Sequence, residues 1–340
     1  MFHPGLPDKF VNVASILLSK WINRRKKMVS MNMETILVIR QDEIGDMCYS
    51  THAFSLLKKK YPASKITVWC KPAAAALIQH DPNIDSIIKD DKPEGNKYDL
   101  IIDLRGKWAG IFYALLNTPK YRLERGGVRL KNKGHQPHES ETIFQIIQPA
   151  IGELSMELPQ LYASPLEVNQ AAEFINENKL TRFAILHTQV KRILRQWPEE
   201  RFAAIAIYLK EKHQLDIVFC GDNSEIEGIE RVQKLIPFST FNAAGKLNLG
   251  AFKALCEKSQ LFIGNDSSPL HIASLSGVPS LGLFGPGQSD TFYPLGKKSG
   301  LLHHILPCHP CKQISCKQEI PCMYRISIEE VKSKIEEMTT

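Results

Sequence analysis

The sequence contains no long hydrophobic run. Its longest apolar stretch near the start, residues 13–18, is far too short to cross a bilayer. The stretch also differs from a signal peptide, because the basic residues 24–27 follow it instead of preceding it. We therefore expect a cytoplasmic protein, with peripheral attachment to the inner face of the membrane as an additional option.

Internal repeats, low-complexity segments and nucleic-acid-binding motifs are also absent. The first two absences exclude a solenoid and a broadly disordered chain. The 340 residues suffice for two domains of ordinary size, and the basic residues that give the net charge of +7 are spread along the chain. Such a basic excess suits phosphate-bearing ligands or an anionic membrane surface, and we expect no nucleic-acid partner.

Residues 9–27 predict a helix with one apolar face and a basic end. The apolar residues recur at three- and four-residue spacing, and they are Phe10, Val13, Leu17 and Trp21. Aromatic side chains followed by a basic run favour binding at the interface of an anionic membrane. The alternative is a helix that packs on the protein's own surface. We assign residues 1–33 to this extension.

Two successive alternations of strands and helices follow the extension. The apolar, β-branched runs Thr35–Arg40, Lys65–Cys70 and Leu100–Asp103 predict buried strands, with a helix at 44–60 after the first. The pattern restarts at Phe183–His187. Alternation of this kind predicts a parallel sheet covered by helices on both faces.

The two alternations predict an α/β protein with two facing Rossmann-like domains and a cleft between them. We place the domains at 34–160 and 161–340, joined through a proline-containing connection at 155–170. One segment breaks the pattern. The glycine-rich, basic residues 125–138 predict a surface loop, which is either functional or merely solvated.

Three turns carry residues suited to group transfer. Asp46 follows the first strand, and a carboxylate there can accept the proton of an incoming hydroxyl. Arg195 precedes Trp197 and Pro198 in a loop before a helix, where a cation can neutralise a leaving diphosphate. Gly285 follows a strand and lets the backbone approach a ligand closely. The alternatives are a helix N-cap at Asp46, a solvated basic loop at Arg195 and a plain turn at Gly285.

A fourth turn, residues 264–271, has the features of a phosphate-binding site. It follows a strand and opens a helix, whose N-terminus exposes N–H groups and the positive end of the helix dipole. Ser267 and Ser268 add hydroxyl donors. Asp266 can hold sugar hydroxyls, and His271 can reach a diphosphate. The alternative is that Asp266 or Ser267 simply caps the helix.

Cysteine is used in two ways. Four of the eight cysteines are scattered through apolar segments and predict buried free thiols, as in a reducing compartment. The other four, Cys308, Cys311, Cys316 and Cys322, are clustered. Four thiolates could bind zinc in a closed structural site, but their spacing is tighter than that of paired zinc knuckles. We favour reduced cysteines that contribute to packing.

Six motifs, taken in order, carry a family resemblance. They are ILVIRQDEIGDM, RQWPEERFAAIA, CGDNSEIE, AAGKLNL, IGNDSSPLHIASLSGVPSLGLFGP and CHPCKQISCKQEIPCMYRIS. Each is a weak signal alone, but their order and spacing resemble glycosyltransferase family 9, the heptosyltransferases of lipopolysaccharide inner-core assembly. The resemblance covers residues 34–335.

This resemblance implies the GT-B architecture, with an acceptor-binding N-terminal domain and a C-terminal domain that binds the nucleotide-sugar. It implies that Asp46 is the general base and that Arg195 neutralises the departing diphosphate. Glu225 lies near a family acidic position that holds the nucleoside ribose, although Glu227 competes for this role. The implied donor-binding residues are Asp266, Ser267, Ser268, His271, Glu225 and Gly285.

Two departures from the family pattern lie on the donor side. Ser268 replaces the usual glycine, and Gly287 replaces a common threonine, so that one hydroxyl is lost. These changes leave the exact donor open more than the reaction class.

The resemblance implies an inverting transferase that moves heptose, or a related sugar, from a nucleotide-diphosphate donor to a lipid-linked saccharide acceptor. ADP-heptose is the expected donor and the lipopolysaccharide core the expected acceptor. We expect no cofactor and no metal, because the chain lacks an Asp-x-Asp motif. The alternatives are a sugar-nucleotide epimerase of the same architecture and a catalytically degenerate transferase. A zinc-bearing nucleic-acid binder ranks last, because it leaves the Asp46 and Asp266 turns unexplained.

Overall fold

The computed structural model describes residues 6–24, 33–89, 91–93, 98–309, 311 and 313–339. The chain divides after Tyr162 into two compact units, which we call unit 1 and unit 2. None of the described helices is both long enough and apolar enough to cross a membrane.

Unit 1 is built on five parallel strands. The strands are β1 (Thr35–Arg40), β2 (Lys65–Cys70), β3 (Ser86–Lys89), β4 (Leu100–Asp103) and β5 (Tyr121–Glu124). They form one sheet in the order β3-β2-β1-β4-β5. The helices are α1 (Leu6–Asn23), α2 (Ile44–Cys48), α3 (Thr51–Lys60), α4 (Pro72–Ile78), α5 (Trp108–Asn117), α6 (Arg125–Lys131) and α7 (Glu139–Ile151).

Unit 2 is built on six parallel strands. The strands are β6 (Phe183–His187), β7 (Asp216–Phe219), β8 (Phe241–Asn242), β9 (Leu261–Asn265), β10 (Ser280–Phe284) and β11 (Ser299–His303). Their order is β11-β10-β9-β6-β7-β8. The helices are α8 (Pro165–Glu177), α9 (Glu199–His213), α10 (Ile226–Lys234), α11 (Leu249–Lys258), α12 (Ser268–Leu275), α13 (Ser289–Phe292), α14 (Cys322–Arg325) and α15 (Ile328–Thr339).

The central strands of both sheets are buried along nearly their whole length. Every residue of β4, β6, β9 and β10 is buried, and so is all of β1 except Thr35. Continuous apolar runs of this kind are typical of parallel strands that helices cover on both faces. The prediction of an α/β protein with two Rossmann-like domains is therefore confirmed.

The strand order reverses direction at one point in each sheet. In unit 1 this point lies between β1 and β4, and in unit 2 it lies between β6 and β9. Loops that leave such neighbouring strands run to opposite sides, which opens a crevice beyond their carboxyl ends, where ligands of open α/β sheets bind. The turns that the sequence singled out lie beside these two points: Asp46 follows β1, Arg195 follows β6, and the turn at 264–271 lies at the end of β9.

Helix α1 is fixed to unit 1 through the buried side chain of Arg122. Its Nη1 donates to the Ser15 carbonyl oxygen at 2.9 Å and to Ser19 Oγ at 2.7 Å, and its Nη2 donates to Ser15 Oγ at 3.0 Å. The same guanidinium pairs with Asp103 at 3.1 Å. The Asn23 side chain donates to the Arg122 carbonyl oxygen and accepts from the Arg122 N–H. The helix is therefore an integral part of unit 1.

Several predicted boundaries differ from the structure. The helix predicted at 9–27 ends at Asn23, and residues 25–27 of its basic run lie outside the described residues. The helix predicted at 44–60 is two helices, α2 and α3. The loop predicted at 125–138 is wrong in its first half, because Glu124 accepts the free N–H groups of the next two glycines and starts α6 there.

Candidate active site

The predicted donor-binding residues lie beyond the carboxyl ends of four adjacent strands in unit 2. The turn after β6 carries Arg195, and the turn after β7 carries Glu225. Asp266 and Ser267 follow β9, and Gly285 follows β10. Because β10, β9, β6 and β7 are neighbours in the sheet, one edge of this sheet collects residues that are far apart in the sequence.

Arg195 and Asp266 form an ion pair. Arg195 ends a short 3-10 turn, Ile193–Arg195, and its Nη1 lies 2.8 Å from Asp266 Oδ2. Asp266 is buried, and burial raises the pKa of its carboxyl, whereas the charges of Arg195 and Arg192 lower it. The pair combines a buried carboxylate with a cation that stays partly exposed, so the guanidinium is available to a second anion.

Because Gly287 has no side chain, the Asp266 carboxylate can occupy the space next to it. A Cβ atom at position 287 would lie 2.1 Å from Asp266 Oδ2, which is far inside van der Waals contact. The side chain of a threonine would therefore displace Asp266 from Arg195. The glycine that departs from the family pattern is thus matched to the position of this carboxylate.

Substituting Gly287 by alanine is expected to weaken donor binding, because the added methyl group forces Asp266 off Arg195. Overpacking of this kind costs about 1–3 kcal/mol. Where the donor-bound geometry of Asp266 bears this cost, Kd rises about 5- to 150-fold. Calorimetric titration with the nucleotide-sugar measures the effect. Gln288→Ala, in the same turn, is the control, and equal affinity in both variants would contradict the assignment.

Gln313 holds Arg195 from the segment that carries the clustered cysteines. Its Oε1 accepts from Arg195 Nε at 2.6 Å and from Arg192 Nη1 at 3.2 Å. Its Nε2 donates to the Pro286 carbonyl oxygen at 3.3 Å, and its backbone has a left-handed φ of 58°. This residue was not predicted, because a glutamine in an irregular segment gives no periodic or motif signal.

His187 joins two of the predicted donor-binding residues. It is the buried last residue of β6. Its Nδ1 lies 3.1 Å from Ser267 Oγ, and its Nε2 lies 3.3 Å from Glu225 Oε2. His187 was not predicted either, although its place at the end of a strand beside the order reversal was a usable signal.

The N-terminus of α12 is open to a ligand at its capping position. Ser267 occupies the N-cap, but in the described structure its side chain makes no capping hydrogen bond and lies against His187 and the Asn265 carbonyl oxygen. The alternative that Ser267 simply caps the helix is therefore not what the structure shows. Ser268 is the first residue of the helix and is partly exposed, while His271 is buried in the same helix.

Gly285 is required by packing. A Cβ atom at this position would lie 2.5 Å from Met323 Sδ and 2.6 Å from Met323 Cγ. The side chain of Met323, in α14, therefore fills the space beside the glycine. This contact favours a residue without a side chain here, and the role of Gly285 in donor binding stays a prediction.

In unit 1, Asp46 lies on α2, next to the point where the strand order reverses. Its Oδ2 accepts from the Glu43 N–H at 3.3 Å, and its Oδ1 lies 3.6 Å from Arg40 Nη2. Burial raises the pKa of Asp46, the charge of Arg40 lowers it, and those of Asp42 and Glu139 raise it. The balance is a raised pKa, which is what a general base needs in order to bind a proton more firmly than an ordinary aspartate does.

A buried network of charged residues contacts Asp46 through Arg40. Glu139 accepts from Arg40 Nη2 at 2.6 Å and from Arg125 Nη1 at 2.7 Å. Both arginines also donate to the Leu104 carbonyl oxygen. Burial alone would raise the pKa of Glu139, but Arg125 and Arg40 lower it to about 2. Arg40 and Glu139 were not predicted, although Arg40 ends the first strand and charge is unusual at a buried strand end.

The clustered cysteines line a cavity of about 340 Å³ in unit 2. Cys308, Cys311, Cys316 and Cys322 share this cavity with Leu194, and all four are free thiols. Among the residues that the structure describes, no group of three or more His, Cys, Asp or Glu side chains is arranged to hold a metal ion.

Comparison with known proteins gives concordant results. The sequence model of glycosyltransferase family 9 (heptosyltransferase) matches residues 94–320. Lipooligosaccharide heptosyltransferase 2 of Campylobacter jejuni serotype O:6 is 22% identical over 320 residues, which are 87% of this chain and 96% of that protein.

Solved structures of this family have the same fold. A glycosyl transferase family 9 protein from Veillonella parvula matches with a TM-score of 0.77 at 22% identity, covering 91% of this chain and 98% of that chain. For Escherichia coli ADP-heptose lps heptosyltransferase II the TM-score is 0.70 at 20% identity, with 90% and 98% covered. Because the family model spans well over half of the sequence, the chain belongs to glycosyltransferase family 9, the heptosyltransferase family.

Proposed function

We propose that this protein transfers heptose from ADP-heptose to a saccharide of the lipopolysaccharide core, with inversion at the anomeric carbon. The names of the relatives support this donor and this acceptor class. The observation that carries the proposal is the Arg195–Asp266 ion pair beside the uncapped N-terminus of α12, since Arg195 and the helix dipole both provide positive charge for a diphosphate.

Unit 2 is proposed to bind the donor. The N-terminus of α12, with Ser267 and Ser268, binds the phosphates, and Asp266 accepts hydrogen bonds from the sugar hydroxyls. Arg195 stabilises the negative charge that develops on the leaving diphosphate. Glu225 accepts from the ribose hydroxyls, and its contact with His187 orients its carboxylate. His271, buried in the first turn of α12, is proposed to contact the diphosphate.

Unit 1 is proposed to supply the base. Asp46 takes a proton from an acceptor hydroxyl, and the freed oxygen electron pair forms a bond to the anomeric carbon of heptose. The bond from that carbon to the diphosphate oxygen breaks in the same step, and ADP leaves. One displacement inverts the configuration, and Arg195 with the α12 dipole provides the positive charge that a metal ion provides in other transferases.

Family membership favours transfer over the epimerase alternative. The catalytically degenerate alternative predicts donor binding without turnover. The three alternatives differ in what they require: transfer needs an acceptor, epimerisation changes the sugar without one, and a degenerate protein produces neither ADP nor a new saccharide.

The test combines the purified protein with ADP-heptose and a lipopolysaccharide-core acceptor, with and without a chelator. We expect ADP release that depends on the acceptor, a product heavier by one heptose, and equal rates in both conditions. Heptose altered without an acceptor would favour epimerisation. Donor binding without any product from a panel of core acceptors would favour the degenerate protein, and a failure to bind ADP-heptose would contradict the proposed donor.

A further inference from the structure

Helix α1 presents an apolar face to the exterior and a largely polar face to the protein. Phe10 is 66% exposed and Leu17 61% exposed, and Val13 and Trp21 lie on the same exposed face. Of the buried residues of this helix, Asn12, Ser15 and Ser19 are polar and Val11 is apolar. The usual surface helix instead turns its most apolar side to the core.

The orientation of α1 is fixed by specific contacts. The hydrogen bonds of Arg122 to Ser15 and Ser19, and those of Asn23 to the Arg122 backbone, hold the polar face inward. A rotation that buried Leu17 would break these bonds and leave the Arg122 guanidinium, already buried, without them. The exposed apolar face is therefore a built feature of this unit.

A second helix, α5, lies beside α1 and also exposes an apolar face. The two helices pack together, and Leu18 of α1 contacts the core cluster that includes Tyr113 and Ala114 of α5. The exterior face of α5 is apolar throughout: Trp108 stacks on Phe112 with ring centroids 5.6 Å apart, and Leu115 and Leu116 are also exposed, Leu116 to 79%. We call the exposed apolar residues of both helices the α1–α5 surface.

The charged residues in the segments 9–24 and 104–120 are all basic, because neither segment contains Asp or Glu. Lys9, Lys20 and Arg24 are exposed on or next to α1, and the Arg24 guanidinium lies 5.8 Å from the centroid of the Trp21 ring. Apolar and aromatic side chains with exposed cations and no carboxylates match the acyl boundary and phosphate groups of an anionic bilayer.

We propose that the α1–α5 surface docks this protein onto an anionic membrane, with Trp21, Leu17, Phe112 and Leu116 entering the acyl boundary and the basic residues contacting lipid phosphates. Eight large apolar side chains are exposed on these two adjacent helices, and clustered exposed apolar residues mark interaction sites. An acidic partner protein would leave these apolar residues unmatched. Docking at this surface goes beyond the transfer reaction and does not depend on which sugar is transferred.

Tryptophan fluorescence gives a direct readout of docking. Of the four tryptophans, Trp69 and Trp197 are buried, whereas Trp21 and Trp108 are exposed on the α1–α5 surface. Vesicles of phosphatidylcholine mixed with phosphatidylglycerol are expected to shift the emission of the full-length protein to shorter wavelength. Trp21→Phe and Trp108→Phe are each expected to reduce the shift, since one probe is lost from each helix.

Co-sedimentation with the same vesicles measures the strength of docking. Leu17→Glu on α1 and Leu116→Glu on α5 are each expected to lower the partition coefficient about tenfold or more, because each loses a leucine from the interface and adds a charge repelled by the lipid. Leu166→Glu is the matched control, since Leu166 is 68% exposed but lies in unit 2, and it should partition like the wild type. Higher salt and vesicles of phosphatidylcholine alone should both weaken binding.

Three outcomes would overturn the proposal. They are the absence of wild-type binding to the anionic vesicles, equal binding of the Leu17, Leu116 and Leu166 variants, and a concentration-dependent dimer that Leu116→Glu dissociates without any change in vesicle binding. Transfer to a water-soluble, truncated acceptor should stay the same in all three variants. Failure of the transfer proposal would leave the vesicle result unaffected, because vesicle binding needs neither donor nor acceptor.

Discussion

Replacing Asp46 by asparagine is expected to lower kcat about a hundred- to ten-thousandfold, because the acceptor hydroxyl loses its general base. The amide is nearly isosteric and retains an oxygen that can accept from the Glu43 N–H, so the turn should persist. Donor affinity should stay near the wild-type value, since the proposed donor site lies in unit 2. Steady-state kinetics with saturating ADP-heptose, together with calorimetric donor titration, separate these effects.

The raised pKa of Asp46 gives the same variant a distinctive stability signature. Because the folded protein binds this proton more tightly than the unfolded chain, the free energy of unfolding falls as pH rises from the ordinary aspartate pKa through the raised one. Above that window the ionised carboxylate destabilises the fold. Asp46→Asn removes this ionisation, so its Tm at neutral pH should be at least that of the wild type.

Glu43→Gln is the control for the base assignment. Glu43 lies in the same turn, pairs with Lys71 at the surface and is largely exposed. Its neutral replacement should change kcat by no more than a few fold. An Asp46→Asn protein with wild-type kcat, or a Glu43→Gln protein that is equally impaired, would exclude Asp46 as the base.

Replacing Arg195 by glutamine is expected to lower kcat about a hundred- to a thousandfold, because the leaving diphosphate loses a charge-assisted donor. A second effect follows from the ion pair. Burial already raises the pKa of Asp266, and without the opposing charge of Arg195 this pKa should rise further. As the pH is lowered, the residual activity should therefore be lost at a higher pH than in the wild type, because Asp266 becomes protonated earlier. A pH–rate profile measures this shift.

Three further variants distinguish charge from positioning at Arg195. Arg195→Lys keeps the charge and should recover a large part of kcat, whereas Arg192→Gln removes an exposed charge nearby and should have a small effect. Gln313→Ala keeps Arg195 but removes the oxygen that accepts from its Nε at 2.6 Å. We therefore expect a lower kcat, but no change in the pH at which activity is lost on acidification. An Arg195→Lys protein as inactive as the glutamine variant would show that geometry, not charge, dominates.

The parts of the fold that repeat a strong local pattern could be predicted from the sequence. Strands such as Thr35–Arg40 and Phe183–His187 have the predicted bounds, because a continuous apolar run with β-branched residues has few other stable conformations in a parallel sheet. The turns after them could be placed for the same reason. Asp46, Arg195 and Asp266 lie where the ends of predicted strands put them.

The contacts between these turns could not be predicted. Nothing local in the sequence indicates that Gln313 contacts Arg195, which is 118 residues away along the chain. The same holds for Glu139 and Arg40, which are 99 residues apart. The helix at Arg125–Lys131 was missed because two glycines have low helix propensity, and the capping carboxylate of Glu124 overcame it. Helix α5 offered too few polar residues for an amphipathic pattern, since both of its faces are apolar.

The attachment of α1 has a consequence for the solubility of unit 1. Strand β5 is the last strand of its sheet, and an edge strand with unpaired N–H and C=O groups is a template for pairing with another chain. The side-chain amide of Asn23 donates to the carbonyl of Arg122 and accepts from its N–H, as the peptide group of a neighbouring strand would. The helix thereby blocks the edge at its centre. A chain that began at β1 would lose this block and present an open edge to intermolecular β-pairing and aggregation.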